Sequence, residues 1–234
     1  MIVSINQPAY LPWLGYFHRI AVSDLHIVLD HVQFEKNSFV NRNKVRTANG
    51  AAWLTVPVRT KGRFGELPID ELEIDSSQAW AQKHWQTIRQ NYSKCAGFAA
   101  HADFFEQVYA RPWRRLAELM TEINVYLLRA FGIRTPLRRS SEMAPSGAKT
   151  DLIVGLCKSV GASVYLSGPL GRGYLEEARV AEAGIELRYH DYVHPVYPQR
   201  GAGFEPYMSA IDLLFNCGEQ SRDVLLGAGE RVHE

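Results

Sequence analysis

Ile2–Asp30 reads IVSINQPAYLPWLGYFHRIAVSDLHIVLD, and its pattern decides the fold. Ile2, Val3 and Ile5 make a short apolar strand. Asn6–Pro12 break it with two amides and two prolines. Trp13–Ala21 has the period of a helix, with Leu14, Phe17, Ile20 and Ala21 on one face. Leu25–Leu29 is a second apolar strand. A strand–loop–helix–strand unit of this length builds a parallel sheet whose ligand-binding loops lie at the C-terminal strand ends. Asn6, Gln7, Tyr10, Trp13, Tyr16 and His18 crowd hydrogen-bonding and aromatic groups there and are candidate substrate contacts. His18 is also a candidate base, because an imidazole titrates near neutral pH.

The same pattern returns late in the chain. Lys149–Val160 reads as a helix and Ser163–Ser167 as a parallel-type strand. The glycine-rich run Gly168–Leu175 follows, then a helix over Glu176–Ala183 and a strand over Ile185–Tyr189. Strand, glycine loop and helix start can offer backbone N–H groups to an anion. Ser167, Gly168, Arg172 and Tyr174 are the candidates there, and a tight crossover is the alternative. After Tyr189 come His194, Tyr197 and Gln199, again polar and aromatic groups past a strand end. The last helix, Ser209–Asn216, carries Asp212, which either orients a base or favours the helix N-terminus.

Between these two halves, Asp30–Arg46 mixes Asn41, Arg42 and Lys44 with Phe34, Phe39 and Val40. It is either a hairpin arm with a basic edge or a loop folded over an anion. Asn49-Gly50 marks a tight turn, and Trp53–Val58 is a strand that Pro57 places at an edge or end. Thr60–Leu67 reads as a mobile basic loop and Ile69–Ile74 as a further strand. Ser76–Tyr92 is a helix with Trp80, His84, Ile88 and Tyr92 four apart; such a stripe is more often core than catalysis, and Lys83 and His84 are the site candidates there. Ala99–Tyr109 and Pro112–Phe131 are amphipathic helices, the second stopped by Gly132. Ile133–Ser141 is a short strand. The expectation is a single α/β domain over 1–234. Its sheet is Rossmann-like, mostly parallel and flanked by helices, with a β-hairpin-rich insertion at 31–75 and a helical insertion at 76–132.

Composition narrows the class. The 234 residues are 46% hydrophobic with a formal charge of +1. That suits a globular protein and argues against a broad nucleic-acid or membrane surface. No apolar run approaches the ~20 residues of a membrane span. The start has neither a basic n-region nor an uninterrupted apolar run, so it is not a signal peptide and the expected location is cytoplasmic. Cys95, Cys157 and Cys217 lack paired spacing, so neither a disulfide framework nor a metal site is indicated. Cys157 falls on an apolar helix face, as an inert buried thiol does.

Taken together, NQPAYLPWLGYFHRI, LDHVQFEKNSFVNRNKV, WLTVPV, YLSG, HPVYPQ and SAIDLLFNCG resemble the successive motifs of the WbqC-like family, nearly from end to end. The chain departs from that pattern at His31, where a second Asp usually follows Asp30, and at Phe34 and Phe39, which replace Tyr and Trp. The resemblance implies a role in bacterial O-antigen and surface-glycan biosynthesis. It further implies a transferase that moves an acyl or aminoacyl group to an amine such as a nucleotide-linked amino sugar. The donor would be an acyl thioester, on a carrier protein or CoA, or an aminoacyl-tRNA. A more distant likeness links Tyr10–Phe17 to the nucleotidyltransferase-like start, with Trp13 and Tyr16 at its two histidine places; neither side chain supplies the positive charge of an imidazolium. Acyl transfer to an amine needs a base, oxyanion donors and an aligning pocket. His194 and His18 are the expected bases, with Asp212 behind them. Two other functions stay open: an ATP- or nucleotide-dependent enzyme that activates a carboxylate, and a non-catalytic sugar- or carrier-binding protein.

Overall fold

The computed structural model describes residues 1–63 and 65–227; Phe64, within the expected loop Thr60–Leu67, lies outside the described residues. The described strands are β1 (Ile2–Asn6), β2 (Leu25–Val28), β3 (Arg42–Thr47), β4 (Gly50–Thr55), β5 (Leu137–Arg139), β6 (Val164–Ser167) and β7 (Glu186–Tyr189). The helices are α1 (Leu14–Ala21), α2 (Trp80–Tyr92), α3 (Phe98–Ala110), α4 (Leu116–Ala130), α5 (Lys149–Ser159), α6 (Glu177–Glu182), α7 (Ala210–Cys217) and α8 (Ser221–Gly227). Five strands form one sheet in the order β5-β2-β1-β6-β7, and every neighbouring pair in it is parallel. Strands β3 and β4 make a separate antiparallel hairpin that turns between Thr47 and Gly50. Among the described residues no helix is long and apolar enough to cross a membrane.

Alternation along the strands sends different residues to the two faces. Val3 and Ile5 of β1, with Leu25 and Ile27 of β2, join Leu152, Ile153, Leu156 and Cys157 of α5 and Val180 of α6 in one apolar core. On the opposite face Ser4 lies beside His26, with Ser4 Oγ 2.8 Å from His26 Nδ1. Helix α1 covers that polar pair, the Tyr16 ring meeting His26 edge-on. A second core wraps the outer side of α1, where Leu14, Phe17 and Ile20 pack with the hairpin and with α2, α3, α4 and α7. The helix therefore differs from the one-sided amphipathic helix its spacing predicts. Every residue from Leu14 to Ile20 is buried, His18 and Arg19 included: the segment between β2 and β5 covers the Phe17 side, and the stretches after β6 and β7 cover Arg19 and His18.

Three expected strands change, and the one expected over Trp53–Val58 runs from Gly50 to Thr55 instead. Ile69–Ile74 is a 3-10 turn at Ile69–Glu71 followed by single bridges from Glu73 to Arg115 and from Ile74 to Val58. The start of α4 supplies the partners a strand neighbour would have given: Leu116 N–H donates to the Leu72 carbonyl and Ile74 N–H to that of Arg114. Ile133–Ser141 contributes strand only at Leu137–Arg139, since Pro136 has no N–H for the ladder. Helix α2 starts at Trp80 instead of Ser76, whereas Ser209 caps α7, its Oγ accepting from Ile211 N–H.

Candidate functional site

Strand progression reverses between β1 and β6, the place where open parallel α/β sheets hold their ligands. The edge splays there. Pairing of β1 with β6 ends at Ser4–Leu166, while β1–β2 continues to Asn6–Val28 and β6–β7 to Ser167–Tyr189. Asn6 and Gln7 form one lip of the resulting crevice, Ser167 and Gly168 the other. Asn6 and Gln7 are half-buried, and among the described residues neither side chain has a hydrogen-bond partner. The loop that follows is rigid. Leu11 sits at φ 48°, strained for a non-glycine residue before proline. It is held by Asn43 Nδ2 donating to its carbonyl at 2.6 Å and by Ala210 N–H donating to Pro12 at 2.7 Å.

Arg19 reaches into this crevice from α1. It is only 5% exposed, its Nε is buried without a hydrogen-bond acceptor, and no carboxylate among the described residues pairs with it. The guanidinium lies so close to Gly168 that a Cβ there would have to push it aside. Its electrostatic neighbours are the hydroxyls of Tyr165, Tyr16 and Tyr174, and burial pulls its pKa down. A buried cation without a counter-charge costs several kcal/mol, roughly. His26, beneath it, is pushed down to about 3 by burial and by Arg19, and its Nε2 also lacks a partner.

A histidine pair adjoins the arginine. His190 follows β7, and its N–H donates to the Ser167 carbonyl at 2.8 Å. His18 Nδ1 and His190 Nε2 are 2.8 Å apart, both rings buried. Tyr192 stacks on His190, ring centroids 5.8 Å apart, and packs against Gly15, where a Cβ would touch both the Tyr192 ring and the Trp13 indole. The Tyr192 hydroxyl is buried without a partner. Burial, His18 and Arg19 together bring His190 down to about 3. Sequence reasoning passed over Arg19 and His190. The signal available was Ser4 in IVSIN and His26 in LHIV, two polar residues in apolar strands that mark a polar layer beneath α1.

The other expected residues fall into separate groups. Asp212 is fully buried and accepts from Tyr92 Oη at 2.6 Å, Tyr197 Oη at 2.9 Å and Gln199 Nε2 at 2.7 Å. Arg46 joins this hub, donating to Gln199 Oε1 and to the carbonyls of Ala202 and Gly203. His194 donates from Nδ1 to the Pro195 carbonyl at 2.8 Å and accepts from Tyr207 N–H at Nε2, so both nitrogens hold the loop. Asp30, at the end of β2, accepts from Arg139 Nε at 2.6 Å, from both Ser141 donors and from Ser140 Oγ. His31, at the family's second-Asp place, meets the same Ser140 hydroxyl at 2.6 Å. Tyr10 is core: its hydroxyl lies 2.9 Å from His84 Nδ1 and 2.5 Å from Tyr109 Oη.

On the hairpin side, Trp13, Phe39 and Trp53 line up at ring spacings of 5.2 and 5.9 Å. Arg42 lies 4.5 Å over the Trp53 ring and Lys44 at 5.8 Å. Phe39 and Trp53 are exposed. Asn41, by contrast, is buried and donates to the Val56 carbonyl. The glycine-rich run forms a 3-10 turn, Pro169–Gly173, before α6. Arg172 there is exposed and paired with Asp191 at 3.0 Å.

Fold and crevice define an α/β protein with a mostly parallel sheet and a buried cation at its strand reversal. Residues 7–224 match the WbqC-like protein family, and the chain belongs to that family. It is 39% identical over 228 residues to the Mycobacterium tuberculosis protein Rv1507c, which is described as uncharacterized; the match covers 95% of this chain and 96% of that one. No solved structure matches.

Proposed function

We propose that the protein is a transferase of bacterial surface-glycan or related biosynthesis, built on a Rossmann-like sheet. It moves an acyl or aminoacyl group onto an amine such as that of a nucleotide-linked amino sugar. The observation that carries this assignment is Arg19, a buried cation with no counter-charge among the described residues, at the splayed edge between β1 and β6. A substrate phosphate supplies the missing charge, held bidentately by the guanidinium. Asn6 and Gln7, whose amides have no partner among the described residues, donate to the oxyanion or to sugar hydroxyls. The Trp13–Phe39–Trp53 row stacks the sugar or base, with Arg42 and Lys44 adding charge. In the reaction the amine nitrogen attacks the acyl carbon. A C–N bond forms, the C–S bond of a thioester or the C–O bond of an aminoacyl ester breaks, and the amine proton passes through a base to the leaving thiol or hydroxyl.

The test is mass spectrometry of an amino-sugar nucleotide incubated with the protein and a panel of acyl-carrier, CoA and aminoacyl-tRNA donors. The expected product carries a new amide, and Arg19→Met should lower its rate at least ~100-fold, the scale of a lost oxyanion or phosphate contact. No amide with any donor overturns the assignment. Release of pyrophosphate from ATP in the same assay would instead mark an enzyme that activates a carboxylate.

A further inference from the structure

We infer that the outward face of the β3–β4 hairpin is a binding site for one nucleoside phosphate, with the base on Trp53 and the phosphate on Arg42. The part this nucleotide plays in transfer rests on the proposed function; the binding itself does not.

Strand alternation makes the face. Asn43, Val45 and Leu54 point into the core and are buried, so their neighbours along each strand point the other way. The ladder sets Arg42 opposite Thr55, Lys44 opposite Trp53 and Arg46 opposite Ala51. Arg46 turns back to the carbonyls of Ala202 and Gly203. The outward pairs Arg42–Thr55 and Lys44–Trp53 remain. They lie roughly 7 Å apart, two residues along a strand, which is the reach from a base to the phosphate on its own ribose. That length suits one nucleotide and not a strand of several.

The first pair borders a cavity of about 230 Å³. Arg42 and Lys36 bring cations to its wall, Thr55 and Thr60 bring hydroxyls, and Phe34 adds an apolar surface. The arginine is fixed in place. Its guanidinium lies 4.5 Å over the Trp53 ring. Its two terminal nitrogens donate to Asn37, one to Oδ1 at 3.2 Å and one to the carbonyl at 2.6 Å. Its Nε is enclosed without a partner, a desolvation cost that an arginine free in water does not carry. Each terminal nitrogen keeps one further N–H, and among the described residues no hydrogen bond takes it. Those donors meet a phosphate from a side chain already ordered, which spares the entropy a mobile surface arginine loses on binding.

The second pair is the platform. Trp53 is 46% exposed and Phe39 44%, with their rings 5.9 Å apart. Half-wet rings of this size offer a base a stacking surface. Lys44 Nζ adds charge 5.8 Å from the indole. Tyr10 N–H donates to the Phe39 and Val40 carbonyls, which ties the platform to the loop that leaves the crevice. A ligand of this chemistry has two sources: a nucleotide-linked sugar, whose nucleoside carries a 5′-phosphate, and CoA, whose adenosine carries a 3′-phosphate as well.

The test is calorimetry on the full chain with UMP, AMP and adenosine 3′,5′-bisphosphate, against uridine, adenosine and inorganic phosphate. A nucleotide should bind at least ~10-fold more tightly than its own nucleoside or inorganic phosphate, since both halves of the site are filled. Preference for UMP assigns the site to a nucleotide-linked sugar, and preference for the bisphosphate assigns it to CoA. Trp53→Ala should weaken the nucleotide ~5- to 100-fold, the scale of a lost base stack, while Trp53→Phe keeps most of the binding. Arg42→Gln should erase the advantage of nucleotide over nucleoside, and Arg42→Lys should restore only part of it. Nucleotide and nucleoside binding alike in the parent protein overturns the inference. So does an unchanged affinity in Trp53→Ala. Absence of any amide product leaves this binding result standing.

Discussion

Two buried charges show opposite designs. Asp212 is enclosed by donors from three directions: Tyr92 on α2, and Tyr197 and Gln199 on the loop before α7. Arg46 of β3 stands behind Gln199 and lowers the cost of the charge. Arg19 is almost as deeply buried, yet its Nε has no acceptor and no acid among the described residues answers it. A satisfied charge welds elements together. An unsatisfied one carries a standing cost that a structural role does not explain, because an apolar side chain of similar size would be more stable there. The first design assigns Asp212 to the scaffold, and the second assigns Arg19 to a ligand.

The sharpest way to break this comparison is to delete both charges. Asp212→Ala leaves two tyrosines, Gln199 and Arg46 around an empty place and should cost about 3–5 kcal/mol in urea denaturation. Arg19→Met should cut transfer ~100- to 1000-fold with Tm unchanged or higher. A clear fall in Tm would show that the cation is structural after all. Gly168→Ala tests the same lip more gently. Its Cβ displaces the guanidinium, so pyrophosphate binding measured by calorimetry should weaken while stability falls by only about 1–3 kcal/mol.

The smallest effect separates the two carboxylates by pH. Burial would raise Asp30, but hydrogen bonds from Ser141, Arg139 and Ser140 outweigh it and hold its pKa below the usual value. Its contribution to stability is present at neutral pH and is lost as pH falls through the depressed folded value. Asp212 runs the other way. Burial keeps its pKa raised despite its three donors, so its folded form binds the proton more readily and its contribution falls as pH rises through the raised value. Asp30→Asn should flatten the acid side of a stability–pH curve, and Asp212→Asn should remove the opposing slope. Like signs in the two variants would contradict the contrast.

The outline of the sheet was legible because its central strands β1, β2 and β6 are mostly apolar runs closed by Gly, Pro and polar loops. Each sheet strand overlaps a stretch read as strand, β1 running one residue further, to Asn6. Ile69–Ile74 misled because an apolar segment held by bridges to α4 and to Val58 has the same composition as a strand. The crevice was half legible: Asn6, Gln7, Ser167 and Gly168 stand out at strand ends. Arg19 did not, because a helical arginine ordinarily faces water. His194 drew notice over His190 although both follow β7, since nothing local says which imidazole has its nitrogens tied to backbone.

From sequence alone came the parallel α/β plan, the hairpin turn, the family resemblance and the strand ends where polar groups gather. These rest on local periodicity and turn chemistry, which a few neighbouring residues dictate. Tertiary structure alone decided that α1 is enclosed on every side, that β1 and β6 part at their tips, and that one buried cation has no answering charge among the described residues. Burial and pairing join residues as far apart as Arg19 and Gly168, and no local pattern records whether a charge meets its partner.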